Sequence, residues 1–184
     1  MRRYNARVPN RQPPLPDIWV VTDARNDARI DAVLARLPRG SGVIFRHYHL
    51  PAGERRRRFD ALRRVAHSLG HLVVLSGSAA QARAWRADGA YGSPRLLSRG
   101  PAVLRLVTAH SLTELARAKQ ARADAILLSP VFATRSHPGG NVLGPVRFRL
   151  LAHRSPVPVI ALGGLSARRA RAVRWKNWAA IDGI

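Results

Sequence analysis

The loop that follows residues 125–128 carries a cluster of side chains that can donate hydrogen bonds to a ligand. Thr134 and Ser136 supply hydroxyl groups and His137 supplies an imidazole, all within four residues of the chain. Each of these groups can both orient and bind a polar ligand. The composition therefore favours ligand contact over a loop that only turns the chain.

A pair of glycines forms a second candidate site, directly after the apolar run that ends at residue 161. The backbone N–H groups of Gly163 and Gly164 can approach an anion closely because no Cβ intervenes. The pair could instead form only a tight turn between a strand and a helix. The sequence leaves both interpretations open, and the strand that precedes the pair favours phosphate binding.

Cationic and imidazole groups follow two further apolar runs. Arg46, His47 and His49 come directly after residues 42–45, and they could neutralise an anionic ligand, although histidine is only partly charged near neutral pH. Alternation along a strand puts His47 and His49 on one side and Arg46 on the other, so all three should not line one pocket. His110 follows residues 103–108 and either contacts a ligand or caps the next helix.

Short apolar runs alternate along the chain with stretches of helical spacing, and this alternation must position those side chains. The predicted strands are residues 18–23, 42–45, 72–75, 89–93, 103–108, 125–128, 157–161 and 178–181. The predicted helices are residues 27–37, 54–69, 78–87, 111–121, 166–175 and a segment that ends near His153 after a Pro/Gly loop over residues 129–145. Ser111 and Glu114 have the spacing of a capping box at the start of one helix.

Strands separated by helices in this way predict right-handed β-α-β units and a parallel sheet. The number of units, without a nucleotide-type glycine motif, favours a closed (β/α)8 TIM barrel of the α/β class over an open sheet. The barrel should be trimmed, with its last helix missing and the eighth strand covered by the N-terminal segment or a partner subunit. We expect one domain over residues 17–184, preceded by a basic, proline-rich leader over residues 1–16.

The charge is unusual for a small globular protein. The net charge is +22 and only Lys119 and Lys176 are lysines, so nearly all of the cations are arginines. Such an excess attracts polyanions. The arginines are nevertheless spread along the chain, aromatic residues make up 6% of it, and no nucleic-acid-binding motif is visible. Solvated helix faces therefore explain the charge better than a nucleic-acid interface.

Composition also excludes several classes of site. The chain has no cysteine, which rules out disulfides and thiolate metal ligands and agrees with a reducing compartment. No apolar run approaches the ~18 residues of a membrane span. A secretory signal has a hydrophobic segment after its basic start, and the basic start of this chain is not followed by one. We expect a cytoplasmic protein without membrane contact.

Several motifs resemble the thiamine phosphate synthase and thiazole tautomerase family. The Ser-Pro-Val-Phe-Ala-Thr-Arg-Ser-His loop and the Pro-Val-Ile-Ala-Leu-Gly-Gly-Leu strand carry the most specific likeness, and the remaining similar segments are residues 19–23, 87–89, 108–111 and 143–151. Together they extend over most of residues 18–184. The resemblance implies a TIM barrel with its site at the carboxyl ends of the strands.

The resemblance also implies a reaction and a set of site residues. Synthases of this family join an aminopyrimidine methyl diphosphate to a thiazole phosphate with loss of pyrophosphate, assisted by Mg²⁺. By position, the catalytic candidates are Thr134, Ser136 and His137. The candidates for ligand or phosphate binding are Arg46, His47, His49, Thr108, His110, Gly163, Gly164, Ile181 and Asp182.

The chain departs from this family at the positions expected to bind metal. An Asn-Asp pair after the third strand falls on Ser76 and Gly77, and no acid follows the fourth strand in residues 92–96. Pro130 stands where the tautomerases carry a catalytic histidine. Mg²⁺ is expected for the family, but no metal ligand is assigned in this chain. Synthase activity should therefore be absent, or far below that of members with both carboxylates.

Other departures concern phosphate and diphosphate binding. The family's Gln-x-Arg-x-Lys motif falls on His47, His49 and Pro51 in an ungapped reading, and the loop lysine becomes His137. The serine of the last phosphate-binding turn becomes Asp182, whose carboxylate would repel phosphate.

The sequence leaves three functional hypotheses open. The first is a family member in thiamine biosynthesis that binds a phosphorylated thiazole or pyrimidine, with a homodimer as a candidate assembly. The second is a non-catalytic paralogue that keeps the pocket without the metal. The third is a basic protein that interacts with nucleic acid through its arginines, which the spread of charge makes the weakest of the three.

Overall fold

Eight parallel strands close into a barrel, as the alternation of elements predicts. The computed structural model describes residues 15–136 and 139–184, so residues 1–14 of the predicted leader and the candidate His137 lie outside the described residues. Each strand pairs with the next along the chain, and the first pairs with the eighth. The strands are β1 (Ile18–Val21), β2 (Gly42–Phe45), β3 (Leu72–Ser76), β4 (Gly89–Gly92), β5 (Leu104–Ala109), β6 (Ala125–Leu128), β7 (Val159–Ala161) and β8 (Trp178–Ala180).

Helices follow the first seven strands. They are α1 (Ile30–Arg36, after a 3-10 turn over Asp27–Arg29), α2 (Ala52–Ser68), α3 (Ala79–Ala84), α4 (Pro94–Leu97), α5 (Leu112–Gln120), α6 (Gly144–Ala152) and α7 (Ala167–Val173). In the described part of the chain no helix is long and apolar enough to cross a membrane. The short helix α4 was not predicted from the sequence because four residues are too few to show helical periodicity.

Serine side chains fix where several helices begin. Ser78, Ser93, Ser111 and Ser166 each accept a hydrogen bond from the backbone N–H three residues later, which satisfies one of the free donors of the first turn. At Ser111 the predicted capping box is present in a shifted form. The Glu114 carboxylate accepts a 2.7 Å hydrogen bond from the N–H of His110, one residue before the cap.

The core has two layers. Side chains inside the barrel form one cluster around Trp19, Ile44, Leu106 and Leu127, and a larger cluster lies between the sheet and the helices. Gly42 makes room for the Trp19 indole, since a Cβ there would lie 2.1 Å from the ring. The interior is therefore filled by side chains, as in other barrels of this type, and the expected place for a ligand is the mouth at the carboxyl ends of the strands.

Candidate ligand-binding site at the barrel mouth

A cavity of about 750 Å³ opens at the carboxyl ends of the strands. Every strand, or the loop that follows it, contributes to the lining, from Val21 at the end of β1 to Asp182 after β8. Most of the predicted site residues come together here, namely Arg46, Thr108, His110, Thr134, Ser136, Gly163, Gly164, Ile181 and Asp182. The parallel barrel explains this gathering, because it brings all eight strand ends to one side.

Gly163 and Gly164 form the β7 side of the cavity. Both have positive φ, 97° and 62°, in the region that favours glycine. A Cβ on Gly163 would lie 2.6 Å from Cα of Pro130, and a Cβ on Gly164 would lie 2.5 Å from the carbonyl oxygen of Ala133. The pair thus serves as a tight turn packed on the neighbouring loop. Within the described residues, neither N–H has a hydrogen-bond acceptor, which leaves both donors for a ligand.

The polar loop after β6 is held in place by the loop after β1. The Arg25 guanidinium donates a 2.9 Å hydrogen bond to Oγ of Ser136, and the backbone N–H of Ser136 donates to Oγ1 of Thr134 at 3.3 Å. Both hydroxyls line the cavity. The sequence alone does not show that an arginine more than a hundred residues away orients this loop.

Asp182 does not present an uncompensated negative charge to the cavity. Its carboxylate lies 3.3 Å from the Arg25 guanidinium and 3.6 Å from that of Arg135. The repulsion of phosphate expected from the sequence is therefore offset by two cations. Arg25 also pairs with Asp23 at 2.9 Å, so one guanidinium connects the loops after β1, β6 and β8.

His110 connects two strand ends. Its Nδ1 donates a 2.7 Å hydrogen bond to the carbonyl oxygen of Ser129, which in a neutral ring leaves Nε2 as an acceptor. The side chain is exposed and lines the cavity. The N-cap of α5 is Ser111, so the prediction that the His110 side chain caps the next helix was wrong, while ligand contact stays a prediction.

His47 and His49 lie outside the cavity lining. The His47 ring is fully buried and stacked on Phe45 at 4.5 Å, with Nδ1 2.7 Å from Oγ1 of Thr22 and Nε2 2.8 Å from the Asp27 carboxylate. Burial lowers the pKa of His47 below its ordinary value of 6.5. This buried side chain links β1, β2 and the 3-10 turn, and neither it nor His49 lines the cavity with Arg46.

Arg55 was missed by the sequence analysis. Its guanidinium donates to the carbonyl oxygen of Arg46 at 2.9 Å and to that of Ser76 at 2.8 Å, and it stacks 5.2 Å from the Tyr48 ring. The sequence analysis explained the arginines as solvated helix faces, and in the run from Arg55 to Arg58 on α2 this explanation fits one residue of the four. Only Arg57 is exposed. Arg55, Arg56 and Arg58 are partly buried because they contact groups that are distant in sequence.

Two tyrosines form the β2–β4 side of the cavity, also unpredicted. The Tyr48 hydroxyl makes a hydrogen bond with Oγ of Ser76. Burial raises the pKa of Tyr91 to about 12, so its hydroxyl stays protonated and can donate to a ligand. No signal in the sequence distinguishes these tyrosines, since neither falls in a motif.

Carboxylates are almost absent from the site. Asp182 is the sole carboxylate among the described residues that line the cavity, while Arg25, Arg46, Arg135 and Arg169 also line it. Residues 1–14, 137 and 138 contain no Asp or Glu. A hard divalent cation needs oxygen ligands, usually carboxylates. The arginine side chains of the cavity suit an anion. The lining lacks the carboxylates that Mg²⁺ needs, so it does not fit that metal.

Comparisons with known proteins agree with this architecture. A sequence model of the thiamine monophosphate synthase family matches residues 18–184. A thiamine-phosphate synthase of Pyrococcus furiosus is 25% identical over 174 residues, which are 91% of this chain and 83% of that protein. A protein of Aquifex aeolicus is 38% identical over 78 residues, and this match spans only 41% of its length.

Solved structures share the fold. A thiamine phosphate pyrophosphorylase from Pyrococcus furiosus has a TM-score of 0.75 at 24% identity and covers 91% of this chain and 85% of its own. A thiamine phosphate pyrophosphorylase from Bacteroides thetaiotaomicron has a TM-score of 0.60 at 16% identity, over 89% and 82% of the two chains.

Proposed function

Since the chain belongs to the thiamine monophosphate synthase family, we propose that its barrel mouth binds a phosphorylated thiazole or pyrimidine of thiamine biosynthesis. The observation that carries the proposal is the pair of glycine N–H groups at the mouth. In the described part of the chain these N–H groups have no acceptor, and Gly163 and Gly164 line a cavity that arginine side chains also line. Backbone donors in such a concave turn bind phosphate well.

Further groups around the glycine pair support a phosphate at this position. The Arg169 guanidinium donates a 2.6 Å hydrogen bond to the carbonyl oxygen of Gly164, which places a cation at the edge of the turn. The hydroxyls of Thr134 and Ser136 lie on the neighbouring loop and line the same cavity. A phosphate there would meet neutral donors and a fixed positive charge together, the combination that anion sites commonly use.

The size and lining of the cavity suit a small heterocycle. A volume of about 750 Å³ lies within the range of small-molecule sites. Leu162 and Ile181 line the mouth and pack against the apolar cluster inside the barrel, which includes Val21. We infer that the ring of the ligand packs on these side chains while its phosphate binds at Gly163 and Gly164.

The reaction of the family's synthases, alkyl transfer with loss of diphosphate, is not well supported at this site. The developing charge on the leaving diphosphate needs cations, and a metal supplies several kcal/mol of that stabilisation. Each loss of about 1.4 kcal/mol lowers the rate about tenfold. With Ser76 and Gly77 in place of the first metal-binding pair, we expect purified protein to form little or no thiamine phosphate in the presence of Mg²⁺. Turnover comparable to other synthases would overturn this expectation.

Binding is tested by titration with thiazole phosphate, and with inorganic phosphate as the simpler probe. We expect the amide signals of Gly163 and Gly164 to shift and saturate. Arg169→Gln should weaken the affinity for either ligand, whereas Arg168→Gln should not, because Arg168 is exposed on the same helix and does not line the cavity. Unmoved glycine signals, or equal effects of the two variants, would contradict the proposed site.

A further inference from the structure

We propose that the β2–β4 side of this cavity, away from the glycine pair, binds a diphosphate group without a divalent cation, with the Arg46 guanidinium supplying the charge. The inference rests on the proposed function and deepens it, because it concerns how the same site neutralises its ligand. The family implies Mg²⁺, but the side chains that line this cavity are not the oxygen ligands that Mg²⁺ needs, and the inference follows from this difference.

No acidic residue of the chain lies in the cavity lining on the β2–β4 side of the mouth. All ten lie in the described residues, and Asp182 alone lines the cavity. Its carboxylate is already paired with two arginines on the β8 side. On the opposite side, the lining includes Arg46 and the hydroxyl groups of Tyr48, Ser76, Tyr91 and Ser93, and it has no carboxylate.

A different cluster in the described residues has the composition of a metal site, but it is separate from the cavity. Asp27, His47 and His49 bring their ligand atoms within 4.8 Å of one another. The Asp27 carboxylate is already bound by the Arg58 guanidinium at 2.8 Å, and none of the three residues lines the mouth. A cation held there would not reach a ligand in the cavity.

Arg46 has the position and the freedom to bind an anion. Its backbone carbonyl is fixed by Arg55, and its guanidinium lies 5.7 Å from the centre of the Tyr48 ring. Within the described residues, no carboxylate lies within 4 Å of this guanidinium and no acceptor binds it. The Arg46 charge contributes to the lowered pKa of Asp23 without forming an ion pair with it, and a phosphate could bind the guanidinium directly through two parallel hydrogen bonds.

Neutral donors complete the site. The Tyr91 hydroxyl, which stays protonated, lines the cavity on the same side as Arg46, and Ser76 and Tyr48 add two further hydroxyls. A divalent cation placed among these groups would meet the repulsion of Arg46 and gain no carboxylate. Guanidinium and hydroxyl groups therefore replace the metal as the source of charge and hydrogen bonds.

The test measures binding of inorganic pyrophosphate by calorimetry, in EDTA and in excess MgCl₂. We expect binding in EDTA, and equal or weaker binding with Mg²⁺, because the metal competes for free pyrophosphate. Arg46→Gln should weaken the affinity in EDTA about tenfold, the loss expected for a charge-assisted pair. Arg57→Gln, an exposed arginine on α2, is the matched control and should bind as the wild type does. Binding that requires Mg²⁺, or an Arg46→Gln affinity equal to that of the wild type, would overturn the inference.

A second variant tests the same argument by gain of function. Ser93→Asp adds a carboxylate to the cavity lining and keeps a good N-cap for α4, so the fold should tolerate it. We expect this variant to bind pyrophosphate more weakly in EDTA and to recover affinity with Mg²⁺. If Mg²⁺ does not change the pyrophosphate affinity of this variant, the lack of carboxylates does not explain metal-free binding, and the inference is contradicted.

The outcomes separate this inference from the proposed function. If phosphate shifts the Gly163 and Gly164 signals while pyrophosphate binds only with Mg²⁺, the metal-free mode is wrong and the proposed function stands. If neither anion binds under any condition, both are wrong.

Discussion

At the scale of single residues, the arrangement of the loops around the cavity depends on side chains that each contact more than one partner. Arg25 holds Asp23, Ser136 and Asp182 together, and Asp182 in turn lies within 4 Å of Arg135. This arrangement makes Asp182 both a link between loops and a negative charge beside a site for anions. The two effects act in opposite directions on ligand affinity.

Replacing Asp182 should reveal which effect dominates. We expect Asp182→Asn to tighten inorganic phosphate binding by roughly threefold to tenfold, the size of a partly exposed charge interaction of about 1 kcal/mol. The amide keeps the shape of the side chain and frees the charge of Arg25 and Arg135. Calorimetric titration measures the change.

The matched control is Asp60→Asn. Asp60 pairs with Arg56 four residues away on α2, outside the cavity lining, so the affinity should not change. A weaker affinity for Asp182→Asn would show that holding the loops together outweighs the negative charge.

At the scale of secondary-structure elements, α2 fixes the ends of β2 and β3. Arg55 lies in the first turn of α2 and donates hydrogen bonds to backbone carbonyls at both strand ends. Its guanidinium also stacks between Tyr48 and Trp85, at 5.2 and 5.3 Å from the two ring centres. The helix therefore determines the backbone positions of Arg46 and Ser76, and with them one side of the cavity.

Arg55→Met should destabilise the protein by roughly 1–3 kcal/mol, since two carbonyl groups lose a charged donor. Arg57→Met, two residues along the same helix but exposed, should change the free energy of unfolding by no more than about 0.5 kcal/mol. Urea denaturation of both variants measures the difference. Equal stabilities would mean that Arg55 behaves as a solvated residue, as the sequence suggested.

At the scale of the whole molecule, the charge is spread over the surface as well as concentrated at the mouth. The net charge is +22, and exposed arginines such as Arg36, Arg57 and Arg147 lie on different helices. A distributed field of this kind raises the local concentration of any anion. It does not by itself create a specific nucleic-acid interface.

DNA binding should therefore be weak, independent of sequence and strongly dependent on salt, because it comes from counter-ion release. Fluorescence anisotropy with unrelated duplexes over a series of salt concentrations measures this. Arg46→Gln should leave DNA affinity unchanged while it weakens pyrophosphate binding. Sequence-selective binding that persists at high salt would instead indicate a dedicated nucleic-acid surface.

The amino-acid sequence by itself determined the order and type of most elements. Apolar runs and helical spacing are local properties, so they predicted all eight strands, the closed barrel and the helix that begins after Ser111. Motif likeness identified the family. Because parallel strands bring their carboxyl ends together, these local features also predicted that Thr108, Thr134 and Gly163 would share one mouth.

Only the tertiary structure decided which polar side chains face that mouth and which ones hold it together. His47 and Arg46 are adjacent in the chain, yet the first is buried against Asp27 and the second lines the cavity. Arg55 and Asp182 likewise take their roles from partners far away in sequence. Periodicity gives the face on which a residue lies, but the partner of a charged side chain depends on contacts that form only when the barrel closes.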